Sequence, residues 1–516
     1  MLTRRNLLIT GAATLVAAPA IIRAQATMWR HYPFSLGIAS GDPAPDGFVI
    51  WTRLAPDPLE PHGGMGMGVM PVTWEVASDD RFQAIVAKGE AAARPELGHS
   101  VHVEVAGLQP DRPYYYRFEA AGERSIRGRA RTLPSPGSAP QLLRFGVAGC
   151  QHYEDGYYTA YRHLAAEDLA FVYHYGDYIY EYRGDPLRPG WGDGGIYTPV
   201  REHIGGLLMS LDDYRRRYAQ YKMDPDLQRA HAAHAFFPSF DDHEVDNNWA
   251  ADIDARDTPP EIFRLRRAAA FHAWYEHMPV RRRSLPTPAS VQLYRSARYG
   301  NLAELNFLDT RQFRSNQPCG DGWKPACPEV NDPRATMLGK EQEEWLERNL
   351  QRRDARWNVL AQQIMMMSLD RRRRPDEAPA KVLNIDTWAA YEAPRQRLLA
   401  RLRGLDNVIV LTGDEHQNFA GILHDRDRPV AVEFVATSIS SGGDGQDVRP
   451  GSDTILAINP QLKFINDQRG YLTFDVTPDE WRTNFMVVDR VRTPDGALAK
   501  RATWSVARGE AALRPA

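Results

Sequence analysis

The 516-residue chain predicts a layered α/β (α+β) core preceded by an all-β sandwich of the fibronectin or immunoglobulin type. Three observations point there. Residues 33–133 fall into short alternating apolar runs separated by turn residues. The stretch from Pro134 to Pro140 is built of Pro, Ser, Gly and Ala, a compositional break typical of a linker. Beyond it, strand-like runs alternate with longer helical stretches, and three of the runs end abruptly in aspartate. A chain this long exceeds one typical core. The reading is therefore a signal segment at 1–26, a sandwich domain at 27–134, a linker at 135–140 and a core domain at 141–516.

At the N-terminus, Arg4-Arg5-Asn6-Leu7-Leu8 precedes an apolar segment from Ile9 to Ile22, and Ala24-Gln25-Ala26 supplies small residues for cleavage. This is the pattern of a twin-arginine signal peptide, although the usual basic residue after the Leu pair is missing. An ordinary secretory signal with an incidental Arg pair is the plainer alternative. Either implies a periplasmic or secreted protein beginning near Thr27, with no transmembrane anchor after cleavage. The first also makes the twin-arginine translocase a partner during export.

In the sandwich, 47–52, 72–76, 100–105 and 114–118 read as strands. The segment from Leu108 to Tyr114 enters the last of these as a tyrosine corner does. In the core, Ser210 to Tyr221 reads as a helix. A second helix is signed by Thr258-Pro259-Pro260-Glu261, with cap, Pro and capping-box Glu in order, and runs on to Met278. Arg371 to Arg374 reads as a solvated loop, and the loops 185–198 and 252–260 are expected to supply pocket walls. With 63 basic against 66 acidic residues there is no basic excess, which argues against a nucleic-acid-binding domain.

The three aspartate-terminated runs are 169–177, 236–244 and 408–416. Ligands gather where strands deliver their carboxyl ends, so these three ends can converge on one crevice. Asp177 suits a bridging carboxylate, and Tyr180 can reach the same metal one turn later. A phenolate favours ferric iron over zinc or copper. Asp242 is read as a ligand, and His243 as the group that contacts phosphate or the leaving oxygen. Asp414 and His416, one residue apart, would point the same way in an extended chain, one toward each of two metals. Asp386 is a further ligand candidate. Arg311 could grip a phosphate in bidentate fashion or form a structural Asp/Arg pair. Of three cysteines, Cys319 and Cys327 bracket a short loop and suit a disulfide. Cys150 is left over at another strand end, where a thiolate ligand competes with an inert buried thiol. Paired metals would neutralise phosphate charge and lower the pKa of a bound water from about 15.7 to about 7.

Taken in order, Phe145-Gly146-Val147-Ala148-Gly149-Cys150, Gly176-Asp177-Tyr178-Ile179-Tyr180-Glu181, Asp241-Asp242-His243-Glu244, Met278-Pro279-Val280-Arg281, Asp309-Thr310-Arg311 and Gly413-Asp414-Glu415-His416 resemble the PhoD family of alkaline phosphatases and phosphodiesterases. Ala39-Ser40-Gly41-Asp42-Pro43 resembles that family's N-terminal β-domain. The resemblance implies a metallophosphoesterase core related to purple acid phosphatases, with one ferric iron plus one or two calcium ions. It places iron on Cys150, Asp177, Tyr180 and His416. It places calcium on Asp177, Asp386, Asp414 and a polar residue of the 242–247 block, Asp242 and Asn247 being the candidates. Gly149 stands where Ser is usual, and Ala389-Ala390 replaces the family's Asp-Gly after the Trp. The implied activity is hydrolysis of a small-molecule or phospholipid phosphate ester. The competing classes are a non-catalytic metal-dependent phosphate or glycan receptor and a calcium-binding structural exoprotein.

Overall fold

The computed structural model describes residues 29–184, 198–372, 374, 376 and 381–516. The expected signal segment lies outside the described residues, as does nearly all of the loop 185–198.

The first part contains β1 (Ile38–Ala44), β2 (Gly47–Arg53), β3 (Met70–Ala77), β4 (Ile85–Ala93), β5 (Ser100–Val105), β6 (Pro113–Ala120), β7 (Glu123–Arg124) and β8 (Gly128–Arg131). β3, β4, β6, β7 and β8 form one sheet that packs on β1, β2 and β5 around Phe48, Ile50, Val76, Val105, Tyr116 and Phe118. Alternation drives this packing: β6 buries every second residue, Tyr114, Tyr116, Phe118 and Ala120. The tyrosine corner is present, with the Gln109 N–H donating to the Tyr114 hydroxyl at 2.9 Å.

The remainder runs β9 (Leu143–Ala148), α1 (Thr159–Leu164), β10 (Val172–His174), α2 (Leu211–Lys222), α3 (Pro225–Ala233), β11 (Ala235–Pro238), α4 (Pro260–His277), β12 (Arg295–Tyr299), β13 (Ala303–Phe307) and β14 (Trp323–Pro325). It continues with α5 (Gly339–Gln351), β15 (Trp357–Ala361), β16 (Val382–Asn384), α6 (Glu392–Leu402), β17 (Val408–Thr412), β18 (Asn418–Asp425) and β19 (Arg428–Val435). It ends with α7 (Ser452–Ile458), β20 (Leu462–Asn466), β21 (Gly470–Val476), β22 (Glu480–Val488), β23 (Leu498–Ala507) and β24 (Arg514–Pro515).

Two sheets dominate. The larger has the order β24-β23-β22-β21-β9-β10-β11-β1-β2-β5, the smaller β12-β13-β15-β17-β19-β18-β20. Their inner faces share one core, in which Phe145, Phe171, Phe237, Phe307, Ile409, Phe434 and Phe474 meet. The outer face of the larger sheet packs on α1 to α4 through Tyr161, Tyr214, Phe271 and Trp274. The outer face of the smaller packs on α5 and α6 through Leu346, Leu399 and Leu402. The layered class is as expected, but the strand-end argument assumed one open sheet and the chain builds two, face to face.

The sandwich is also continuous with the core. β1 pairs in parallel with β11, Ser40 opposite Ala235 and Gly41 opposite Phe236, so three sandwich strands extend the central sheet. The linker is held down as well, Asn301 donating its N–H to the Ser138 carbonyl at 2.8 Å.

Helix α2 starts as expected, Ser210 and Asp213 forming a capping box. Helix α4 does not. It begins at Pro260 with Pro259 in the capping position, and the Thr258 hydroxyl donates instead to Asp254 at 2.7 Å. Two consecutive prolines hold the entry extended and push Thr258 out of capping reach. Arg371 is another correction: it is buried against Glu415 rather than solvated. Among the described residues no helix is long and apolar enough to cross a membrane.

Candidate metal centre

β9, β10 and β11 lie side by side and parallel, and β17 delivers its end from the facing sheet. Each strand is followed by a sharp turn. Cys150, Asp177, Asp414 and His416 all adopt positive φ, at 50°, 55°, 67° and 51°. Non-glycine residues rarely sit there, and four in one crevice mark a functional site whose surroundings enforce the geometry. Gly176 is required sterically, since a Cβ would stand 2.5 Å from the Asp241 backbone nitrogen. At Gly149 a Cβ would stand 2.5 Å from the Tyr175 ring, which accounts for Gly where the resemblance expects Ser.

One donor set joins Cys150, Asp177, Tyr180 and His416. The Cys150 thiol donates to Asp177 Oδ2 at 3.3 Å. The Tyr180 hydroxyl lies 2.9 Å from the same oxygen and 3.3 Å from His416 Nε2. Burial pushes the His416 imidazole down to about 3, so it is the neutral, ligating form. Burial pushes the Cys150 thiol well up, with Asp177 and Asp414 adding to it.

A second set brings Asp241, Asp242 and Asp414 together, their ligand atoms within 4.8 Å of one another, and a third grouping joins Asp177, Asp242 and His243. Asp177 is thus common to the Cys150 grouping and to the one with Asp242 and His243, and Asp242 in turn links to Asp241 and Asp414. Burial and neighbouring carboxylates hold Asp177 and Asp414 well above the usual carboxylate range. Asp241 Oδ2 is buried, with no hydrogen-bond partner among the described residues. Carboxylates crowded in this way call for cations, and the donors fit them: sulfur, phenol and imidazole on one side, hard oxygens on the other.

Asp414 and His416 fall in different donor groupings, but not through an extended chain. Both are left-handed, and the intervening Glu415 turns away to meet Arg371 at 2.5 Å. His243 is 8% exposed, stacks on Tyr180 and places Nδ1 2.7 Å from Glu181 Oε2. Burial opposes its protonation, but Tyr182, Asp242, Glu181 and Asp177 together raise it well above the ordinary histidine value.

Arg311 is structural rather than phosphate-facing. It is 0% exposed, and its guanidinium meets Asp241 at 2.5 Å, Asp386 at 2.7 Å and Asp242 at 3.3 Å. Asp386 is engaged from several sides, by Arg311, by Arg314 at 3.0 Å and by Gln317 at 3.0 Å. Asn247 offers its amide oxygen to the Tyr182 hydroxyl at 3.0 Å and its N–H to Glu181 at 3.0 Å.

Four contributors were not singled out from the sequence. Asp241 joins the carboxylate set. Glu244 accepts three backbone N–H groups, from Asp177 at 3.1 Å, Tyr178 at 2.6 Å and Asp241 at 2.9 Å, pinning two ligand turns together. Glu181 accepts from Asn247 besides meeting His243. Ser441, 2.7 Å from the Tyr180 hydroxyl, donates to the Cys150 carbonyl at 2.7 Å. Glu181 and Glu244 stand inside motifs already noted; nothing local marks Ser441.

A family model of the PhoD-like phosphatases matches residues 145–485, and one of the PhoD-like phosphatase N-terminal domain matches 19–134. The chain is 46% identical to alkaline phosphatase D of Bacillus subtilis (strain 168) over 490 residues, covering 94% of this chain and 82% of that one. A solved PhoD structure superposes with a TM-score of 0.90 at 45% identity, over 95% of this chain and 93% of the other. The purple acid phosphatase PPD1 from yellow lupin seeds shares the fold at a TM-score of 0.54 and 12% identity, over 91% of this chain and 74% of that one. A strand-end crevice lined by Cys150, Asp177, Tyr180, Asp242, Asp414 and His416 is thus carried by a chain that belongs to the PhoD-like phosphatases, enzymes of phosphate-ester hydrolysis.

Proposed function

We propose that the chain is an exported phosphoesterase that works with one iron and one or two calcium ions. The observation that carries this reading is Asp177, which joins a sulfur, phenol and imidazole set and also groups with Asp242, itself a member of the carboxylate set. Cys150, Tyr180 and His416 with Asp177 suit ferric iron. Asp177, Asp242 and Asp414, with Asp241 beside them, suit calcium, which takes hard oxygen ligands. When bound, such ions neutralise phosphate oxygens and acidify a water from about 15.7 to about 7.

The chain's own residues do the rest. Glu181 fixes His243 Nδ1 and leaves Nε2 facing the Asp242 side, 3.8 Å from Asp242 Oδ2, in position to hand a proton to the departing alcohol oxygen. Arg311 keeps Asp241, Asp242 and Asp386 in register without touching the ester. The twin-arginine pattern supports export through that translocase, with maturation near Thr27. N-terminal sequencing of the periplasmic fraction tests it; an uncleaved cytoplasmic chain would overturn it.

The purified enzyme is expected to be coloured, to contain iron and calcium by elemental analysis, and to hydrolyse phosphomonoesters or phosphodiesters, phospholipid headgroup esters included. Chelation should abolish turnover, and calcium should restore part of it. Colourless, iron-free protein with full activity would refute the metal assignment.

A further inference from the structure

The wall beside the metal centre includes a short loop closed by the Cys319–Cys327 disulfide, whose Cα atoms stand 5.8 Å apart. Three contacts fasten this loop and its leading residues to the ligand turns. Asn248, at the end of the Asp242 turn, donates its amide to Asp321 Oδ1 at 2.7 Å. Gln317 donates to Asp386 Oδ1 at 3.0 Å. β14 pairs with β16 in antiparallel register, Trp323 opposite Asn384, two residues before Asp386.

At the crest of this loop stands Trp323. It is 54% exposed, the one tryptophan among the described residues that faces solvent to this degree. Its ring centroid is 5.5 Å from the Arg371 guanidinium, and Arg371 is tied at 2.5 Å to Glu415, the residue between Asp414 and His416. Asn384 holds the same Glu415 at 3.2 Å. Residues 321–323 thus bridge the rim from the Asp242 turn to the Asp414 turn. The Arg371 contact engages one part of the indole, and the rest of its apolar area is left in water, which is unfavourable for folding alone. Beside a polar site it is the kind of surface that takes an apolar or aromatic group.

We propose that Trp323 is a specificity-determining residue: its indole is the platform on which an aromatic group of the ester's alcohol portion packs, favouring aryl and nucleoside phosphoesters over small aliphatic ones. The proposal rests on the hydrolase reading above. Its test compares kcat/KM for p-nitrophenyl phosphate against glycerol 2-phosphate, and for bis-p-nitrophenyl phosphate against glycerophosphocholine, in wild type, Trp323→Ala and Trp323→Phe. The expected result is an aryl-over-alkyl preference reduced about tenfold in Trp323→Ala, carried by KM rather than kcat, and mostly restored in Trp323→Phe. Equal melting temperatures and intact disulfides across the three proteins separate this from a folding defect. An unchanged preference in Trp323→Ala, or a Phe variant as poor as Ala, would overturn the proposal. Wild-type enzyme that turns over none of the four esters would instead overturn the hydrolase reading, and this assignment with it.

Discussion

Asp177 stands in two donor groupings at once, because the left-handed turn after β10 places it between Cys150 and Asp242. Cys150→Ser should cost iron and the colour it gives while sparing bound calcium. The loss of iron affinity should exceed the about 10–100-fold typical of an outer-shell change. Asp177→Asn should weaken both metals together, read by elemental analysis of the two variants side by side. Arg311 gives the opposite contrast. Removing it strands three buried aspartates, so Arg311→Ala should lower stability by about 3–5 kcal/mol and release metal, with KM for remaining active enzyme little changed. A selective KM increase with metal retained would restore the phosphate-binding role the sequence left open.

At the level of elements, most strands and their terminal aspartates were legible because alternation and an abrupt polar stop are local signals. Asp177, Asp242, Asp414 and His416 could be read for that reason. What escaped depends on partners far along the chain: Arg311 becomes structural only because Asp241 and Asp386, distant in sequence, close on it. Ser441 belongs to the site only because its loop crosses the Cys150 turn. The extended conformation assumed for 414–416 failed because Asp414 and His416 both take left-handed backbone, with Glu415 drawn to Arg371, distant in sequence. Two elements invite measurement. Ser210→Ala removes the α2 cap and should cost about 1 kcal/mol in denaturant unfolding with kcat unaffected. Glu244→Ala frees three backbone N–H groups in the ligand turns. It should reduce metal affinity about 10–100-fold in a chelator competition, although Glu244 itself is read as no ligand.

Across the whole molecule, the junction of sandwich and core buries a lysine. Lys222 lies 4.2 Å from the Trp51 ring and 5.2 Å from Tyr178, and burial pushes it down to about 7. His102, His174, His231 and His277 feel its charge, each already lowered by its own burial. Between about 7 and the ordinary lysine value the unfolded chain binds a proton that the folded chain does not. Stability therefore rises with pH across that window, and the full cost of burying the charge remains below it. Lys222→Met should accordingly gain a few kcal/mol at pH 6 and much less at pH 10, seen in paired urea titrations. Equal gains at both pH values would contradict it.

The continuity of the central sheet decides when the enzyme can exist at all. β9 lies between β10 and β21, and β21 comes from near the end of the chain, so Arg144 meets Asp475 across 331 residues. A ribosome making this protein releases the first half of the metal centre long before the strand that must flank it. Folding is therefore expected to wait for the C-terminal strands and to be slow in a refolding time course, as large sequence separations require. A protease cut in the 134–140 segment should likewise leave two pieces clasped together, because β1 stays zipped to β11 and Trp51 stays bonded to the Glu276 carbonyl.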